Sequence, residues 1–131
     1  MPRPFIEKLI TVLAAAFLLN WAWESLHSFL YVHYQGGAIT QLVLLRAALF
    51  DAIVITLLYF AFLKWEFLQK RIWLTLPIGF IFAIVLEWWA LGTSRWTYNE
   101  LMPIIPIIGT GLTPTIQLGL ISYFIFKTVK F

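Results

Sequence analysis

The chain contains no cysteine, so neither a disulfide nor a thiolate metal site can form. Charge is nearly as scarce. Asp, Glu, Lys and Arg make up 11% of the 131 residues, against about 25% in soluble domains. Apolar residues reach 62%, where about 45–50% is usual. Such a chain would precipitate as a water-soluble domain, so its solvent is lipid. Several motifs are also missing: there is no Gly-rich phosphate loop, no nucleophile elbow, no nucleic-acid module and no internal repeat. Gly109-x-Gly111 precedes a helix without a preceding strand and reads as a turn.

What is present is four apolar stretches, at about residues 9–31, 41–63, 72–91 and 111–127. About 20 residues rising 1.5 Å each cover a hydrocarbon core of about 30 Å. The expected fold is therefore an all-α membrane protein, a four-transmembrane-helix bundle forming a single domain over residues 1–131. The first stretch outruns a signal-peptide core into Trp21, Trp23 and Glu24, and no small-x-small cleavage site follows. It reads as a span rather than a cleaved leader.

The net charge of +3 is not a nucleic-acid patch, and no nucleic-acid partner is expected. Arg3, Lys8, Lys64, Lys70, Arg71, Lys127 and Lys130 fall on one side of the four stretches, Arg46 and Arg95 on the other. The positive-inside rule puts the larger group, and both termini, in the cytoplasm. A compact bundle of this kind fits a bacterial inner membrane.

Residues 92–110, GTSRWTYNELMPIIPIIGT, form the unusual connection. The apolar part, 101–108, is too short to span, and Pro103 and Pro106 cannot continue a helix. Non-helical backbone at membrane depth must be buried in protein or line a cavity. The segment is therefore expected to be an extracytoplasmic cap over the bundle.

The chemistry-bearing residues gather at one end of the four stretches. Asn20, Glu24 and His27 are late in the first, Asp51 early in the second, Glu87 late in the third and Gln117 early in the fourth. In an up-down-up-down bundle those positions share one side, and ionisable groups inside a membrane are functional candidates. Asn20, Glu24, His27 and Tyr31 follow i, i+4, i+7, i+11 spacing, one narrow helical stripe. Helical rise puts Glu24 about 22 Å along its span and Asp51 about 15 Å deep in its own. Arg46, about 140° round the helix from Asp51, is expected to snorkel to headgroups or reach another helix. Glu87 shares a face with Gly79 and Ala83, small residues that let a second helix approach. Thr110, Thr113 and Gln117 share one face and can supply neutral hydrogen bonds. Tryptophans 21, 23, 88, 89 and 96 form an interfacial belt, some of them able to line a pocket for a flat apolar ligand.

Two readings compete for this constellation. A polar stripe can simply lock helices together, whereas acid/base chemistry uses the ionisable pair Glu24 and His27. Glu24-x-x-His27 also matches the Glu-x-x-His ligand pair of di-iron carboxylate bundles, which need the motif twice. It occurs once here, so no cofactor is expected, although one metal ion held by Glu24, His27, Asp51 and Glu87 is geometrically conceivable.

The run from Glu87 to Gln117, with Arg95-Trp96-x-Tyr98-Asn99-x-x-Met102-Pro103-x-x-Pro106 and Gly111-Leu112-x-Pro114-x-x-Gln117, resembles a group of small four-span bacterial membrane proteins. The similarity extends to Trp23-Glu24 and Asp51. More distantly, Glu87, Gly92 and Arg95-Trp96-x-Tyr98 are similar to an element of membrane-embedded carotenoid hydratases. This chain is shorter than those enzymes and has Arg95 where they would carry glycine. The resemblance implies an isoprenoid-type substrate.

The leading expectation is a small membrane enzyme performing acid/base chemistry on a polyprenoid or carotenoid-like molecule. Glu24, His27, Asp51 and Glu87 would be catalytic. Asn20, Arg95, Trp96, Tyr98, Asn99 and Gln117 would bind the substrate. The rivals are a proton-coupled transporter, against which the seven-to-two basic bias argues for dual-topology exporters, and an accessory subunit of a larger membrane complex. A homo-oligomer is compatible with each. Geometrically, Glu24, His27, Asp51, Glu87 and Gln117 should meet in one outer cavity roofed by residues 95–106, with Arg95 compensating the carboxylates.

Overall fold

The computed structural model describes residues 3–34 and 37–131; the turn expected at Gln35 and Gly36 lies outside them. Helix accounts for 75% of it. Helix α1 (Arg3–His27) continues through a 3-10 turn (Ser28–Leu30) into strand β1 (Tyr31–Tyr34). Helix α2 (Gln41–Lys64) is followed by a one-turn helix α3 (Glu66–Gln69), a second 3-10 turn (Ile72–Leu74) and helix α4 (Thr75–Gly92). Strand β2 (Trp96–Tyr98) and helix α5 (Leu112–Val129) complete the chain.

Local chemistry explains the boundaries. Thr40 caps α2 by accepting the Val43 N–H at 3.3 Å, which satisfies one of the donors a helix start leaves free. Pro77 and Pro114 fall in the first turns of α4 and α5, where the missing N–H has no intrahelical role. Beyond α4 the backbone reverses through Ser94, at φ 58°.

Among the described residues three stretches are long and apolar enough to cross a membrane: Pro4–Leu30, Gln41–Lys64 and Ile72–Gly92, with mean hydropathies of 1.6, 2.1 and 1.9. Large apolar side chains cover their outsides, among them Leu18, Leu57, Phe60, Ile81 and Val85. Helix α5 forms where a fourth span was expected but is more polar, carrying Thr115, Gln117 and Ser122. Nine of its 18 residues, those three included, are buried against the other helices. A helix enclosed by protein needs less lipid-like surface than one facing acyl chains.

Helix α1 lies against α2, α4 against α5, and α1 against α5. Neighbours in this arc run alternately. At one end the Lys8 ammonium donates to the Phe131 carbonyl at 2.9 Å, and the Tyr59 hydroxyl donates to the Lys130 carbonyl. At the other, the Trp21 indole donates to the Gln41 side chain at 3.1 Å. Gly79 and Gly119 bring α4 and α5 into backbone contact: a Cβ on Gly79 would stand 2.4 Å from the Gly119 Cα. Helices α2 and α4 do not pack along each other, so the arc stays open on that side.

An apolar core built from Val12, Ile55, Tyr59, Phe62, Ile125 and Phe126, among others, fills the end that holds both termini. A smaller cluster of Leu30, Tyr31 and Met102 closes the opposite end. The buried polar residues include Asn20, Glu24 and His27 of α1, Glu87 of α4 and Gln117 of α5.

The chain is mostly helical, as expected, with one short two-stranded addition. Strands β1 and β2 pair antiparallel, Tyr31 with Tyr98, His33 with Thr97 and Tyr34 with Trp96, with an irregularity between Tyr31 and His33. Both segments are rich in aromatic and β-branched residues, which suit a pleated surface, and pairing satisfies backbone groups that have left their helices. Tyr31 therefore sits on a strand, not on the helical stripe that the spacing suggested.

Candidate functional site

Between the open sides of α2 and α4 lies a cavity of about 490 Å³, with Glu24 of α1 and Pro114, Gln117 and Leu118 of α5 also on its wall. Glu24, Asp51, Glu87, Gln117, Arg95 and Trp96 all line it. Thus three carboxylates from three helices face one space. The remaining wall is largely apolar or aromatic, with Val43, Phe50, Phe82, Leu86 and Trp89.

Each carboxylate has its own hydrogen-bond donor. Glu24 Oε2 stands 3.2 Å from His27 Nε2, and the other ring nitrogen is 2.9 Å from Thr113 Oγ1. With a neutral ring, His27 donates through Nε2 and accepts the Thr113 hydroxyl at Nδ1; with a protonated ring, both nitrogens donate. Both residues are buried, and His27 stands behind Glu24 rather than on the cavity wall.

Asp51 is served by an amide. Gln117 Nε2 donates to Asp51 Oδ2 at 3.1 Å and to Asn20 Oδ1 at 2.8 Å. Asn20, with no exposed surface, passes its own amide hydrogen to the Ala16 carbonyl at 2.7 Å. This relay ties α1, α2 and α5 together and fixes which end of the Gln117 amide faces Asp51. Asn20 thus holds Gln117 in place without lining the cavity.

Glu87 is held from the paired strands. The Trp96 indole donates to Oε2 at 3.1 Å, and the Tyr98 hydroxyl donates to Oε1. The Tyr98 oxygen in turn accepts the Gly111 N–H at 3.0 Å. Burial foremost, and then the charge of Glu87, push the Tyr98 phenol above its ordinary range, so it stays protonated and remains a donor. Tyr31 and Tyr34, on the cavity wall, are raised as well, by burial first and then by neighbouring carboxylates. The β1–β2 pairing is what delivers these donors to α4.

Other candidates fall outside the wall. Asn99 clips the two connections together: its side-chain amide donates to the Phe29 carbonyl, and its oxygen accepts the Leu101 N–H at 2.8 Å. Tyr98 acts through Glu87. The roof also differs from expectation. Of residues 95–106 only Arg95 and Trp96 reach the cavity, and Tyr31, Tyr34, Gly37 and Ala38 of the first connection supply the rest.

Arg95 does not compensate the carboxylates. Its guanidinium stacks over the Trp89 ring, 4.5 Å from the centroid, and among the described residues no carboxylate forms an ion pair with it. Amide, phenol and indole donors have taken the role assigned to the arginine. Arg46, expected to snorkel to headgroups or reach another helix, lines the same cavity. Because α2 and α4 do not pack along each other, the cavity spans an arc of about 140° round α2 and takes in both. Among the described residues no three His, Asp or Glu side chains form a group that could hold a metal ion.

Thr113, Tyr34, Arg46 and Trp89 complete this site. The helical face containing Thr113 and the belt containing Trp89 were visible in the sequence, whereas Tyr34 and Arg46 enter through the strand pairing and the gap. Comparison of the chain with family models, curated proteins and solved structures gives no match.

Proposed function

We propose that this chain is a four-span inner-membrane enzyme that performs acid/base chemistry on a lipid-soluble, isoprenoid-like substrate bound in the cavity between α2 and α4. The carrying observation is that carboxylates from α1, α2 and α4 line one largely apolar space of about 490 Å³, within the range of small-molecule sites. In this reading α5 is the fourth span, and the basic-residue bias places both termini in the cytoplasm and the cavity in the outer leaflet half.

The three carboxylates have different donors: a histidine, an amide, and a phenol with an indole. Non-equivalent surroundings are what allow one acid of a set to hold a proton while another does not. A protonated carboxyl group, Glu24 with His27 behind it, would deliver its proton to an alkene carbon of the substrate. The resulting carbocation would be stabilised by the remaining carboxylates and by the faces of Trp89 and Trp96. Loss of a neighbouring proton to Asp51 or Glu87 yields an isomerised alkene. Capture by water, with its proton going to the same base, yields an alcohol.

Identifying the lipids that co-purify with the protein by mass spectrometry, and then following their turnover in proteoliposomes, tests this reading. Glu24→Gln and Asp51→Asn should each abolish turnover, a loss of at least 100-fold by the usual size of general acid/base effects (~10²–10⁴). Wild-type turnover in both variants would overturn it. Uptake driven by a pH gradient and lost in Glu24→Gln would replace enzyme with transporter.

A further inference from the structure

The cavity is graded along its depth. Arg46 sits five residues before Asp51 on α2, about 7.5 Å nearer the start of that helix by helical rise. Arg95 follows the end of α4, beyond Glu87. Arg46 and Arg95 are both exposed residues and line the cavity, so its mouth is cationic and its interior acidic. The interior acids do not use these cations, since Glu24, Asp51 and Glu87 are bonded by His27, Gln117, and Trp96 with Tyr98 respectively. Among the described residues no carboxylate pairs with either arginine. Arg95 is held in place by the Trp89 ring, an arrangement that leaves the fork of guanidinium hydrogens available to a planar or tetrahedral oxyanion.

The side of the cavity supplies the second half of the argument. Helices α2 and α4 do not pack together, and Phe50 and Phe82, one on each, line the cavity and are themselves exposed. On apolar helices such as these, an opening of this kind faces acyl chains rather than water.

We propose that the cavity takes a single-chain amphiphile with a phosphate-class head, the head held by Arg46 and Arg95 and the chain running past the interior carboxylates and out to the bilayer between Phe50 and Phe82. This rests on the cavity's being the substrate site and names the class of molecule it admits: an anionic lipid monoester entering sideways from the membrane, not a neutral hydrocarbon and not a soluble anion.

Binding tests this directly, without turnover. The protein in phosphatidylcholine nanodiscs is titrated with dodecyl phosphate, with dodecanol and with inorganic phosphate, following the change in total tryptophan fluorescence, to which Trp89 and Trp96 of the cavity wall contribute. Dodecyl phosphate should bind at least tenfold more tightly than dodecanol, and R46Q/R95Q should remove that preference while leaving dodecanol binding unchanged. Inorganic phosphate should not displace the lipid at equal concentration. A separate arm keeps both arginines. Because the chain has no cysteine, Phe50→Cys with Phe82→Cys gives a unique pair to bridge with a bifunctional thiol reagent, and bridging should lower dodecyl phosphate binding at least tenfold relative to the unbridged pair. Equal affinity for phosphate and alcohol, a preference that survives R46Q/R95Q, displacement by inorganic phosphate, or binding indifferent to the bridge would each overturn the proposal. If R46Q/R95Q does not fold, the bridging arm and the wild-type preference decide. Glu24 and Asp51 are untouched throughout, so a failed head-group preference leaves the acid/base reading standing, and an inactive Glu24→Gln variant that still binds dodecyl phosphate supports both.

Discussion

Gly79→Ala is the sharpest test of how α4 is held in place. A Cβ there would lie 2.4 Å from the Gly119 Cα and 2.5 Å from its nitrogen, about 1 Å short of ordinary contact. Both obstacles are backbone, so no side chain can rotate away; one helix must shift. Overpacking of this kind costs about 1–3 kcal/mol, and a backbone obstacle argues for the upper half of that range. Alanine gains up to about 1 kcal/mol over glycine in helix propensity, but that gain largely cancels when helices persist in the detergent-unfolded state, as the two-stage picture of membrane folding holds. The net expectation is destabilisation by about 2 kcal/mol, roughly a thirtyfold fall in the folded-to-unfolded ratio. Reversible unfolding by SDS in mixed micelles measures it. Gly92→Ala is the internal control, because nothing lies within 4 Å of a Cβ there, and it should change stability by no more than about 0.5 kcal/mol. Equal stability of the two variants would refute the close approach of α4 to α5. The same displacement would move Glu87, two turns along α4 from Gly79, relative to Gln117, two residues before Gly119. Gly79→Ala should therefore also weaken dodecyl phosphate binding, whereas Gly92→Ala should not.

Tyr98→Phe removes the donor to Glu87 and the acceptor of the Gly111 N–H. A cost of about 1–3 kcal/mol is expected for the unsatisfied groups, read by the same SDS titration; a neutral result would mean that water or another donor replaces the hydroxyl. Titration of the tyrosines gives an independent check. Tyr31, Tyr34 and Tyr98 are raised above the phenol's ordinary 10.0, with burial the leading cause, so the unfolded chain loses these protons first. Stability is then fully present below about pH 10 and falls as pH rises beyond it. Absorbance at 295 nm should show these three phenols ionising only together with unfolding, and their ionisation in the folded protein would contradict the burial.

Hydropathy outlined the long helices, because a sustained apolar run is legible without knowing its partners: the stretch at residues 41–63 became α2, Gln41–Lys64. The clustering of Glu24, Asp51, Glu87 and Gln117 at one level also followed from counting, since helical rise and alternating direction set depth without reference to partners. Which groups touch within that level was another matter. Helical spacing says where a side chain leaves its own helix, not which neighbour stands opposite. Pairing Gln117 with Asp51, or Trp96 and Tyr98 with Glu87, required the arc in which α1 and α5 sit between α2 and α4. That arc leaves the gap that turned Arg46 inward, and the strand pairing of Tyr31–Tyr34 with Trp96–Tyr98 replaced the arginine by neutral donors. Short aromatic segments carry little periodic signal, and a partner some sixty residues away in the chain is chosen by tertiary packing.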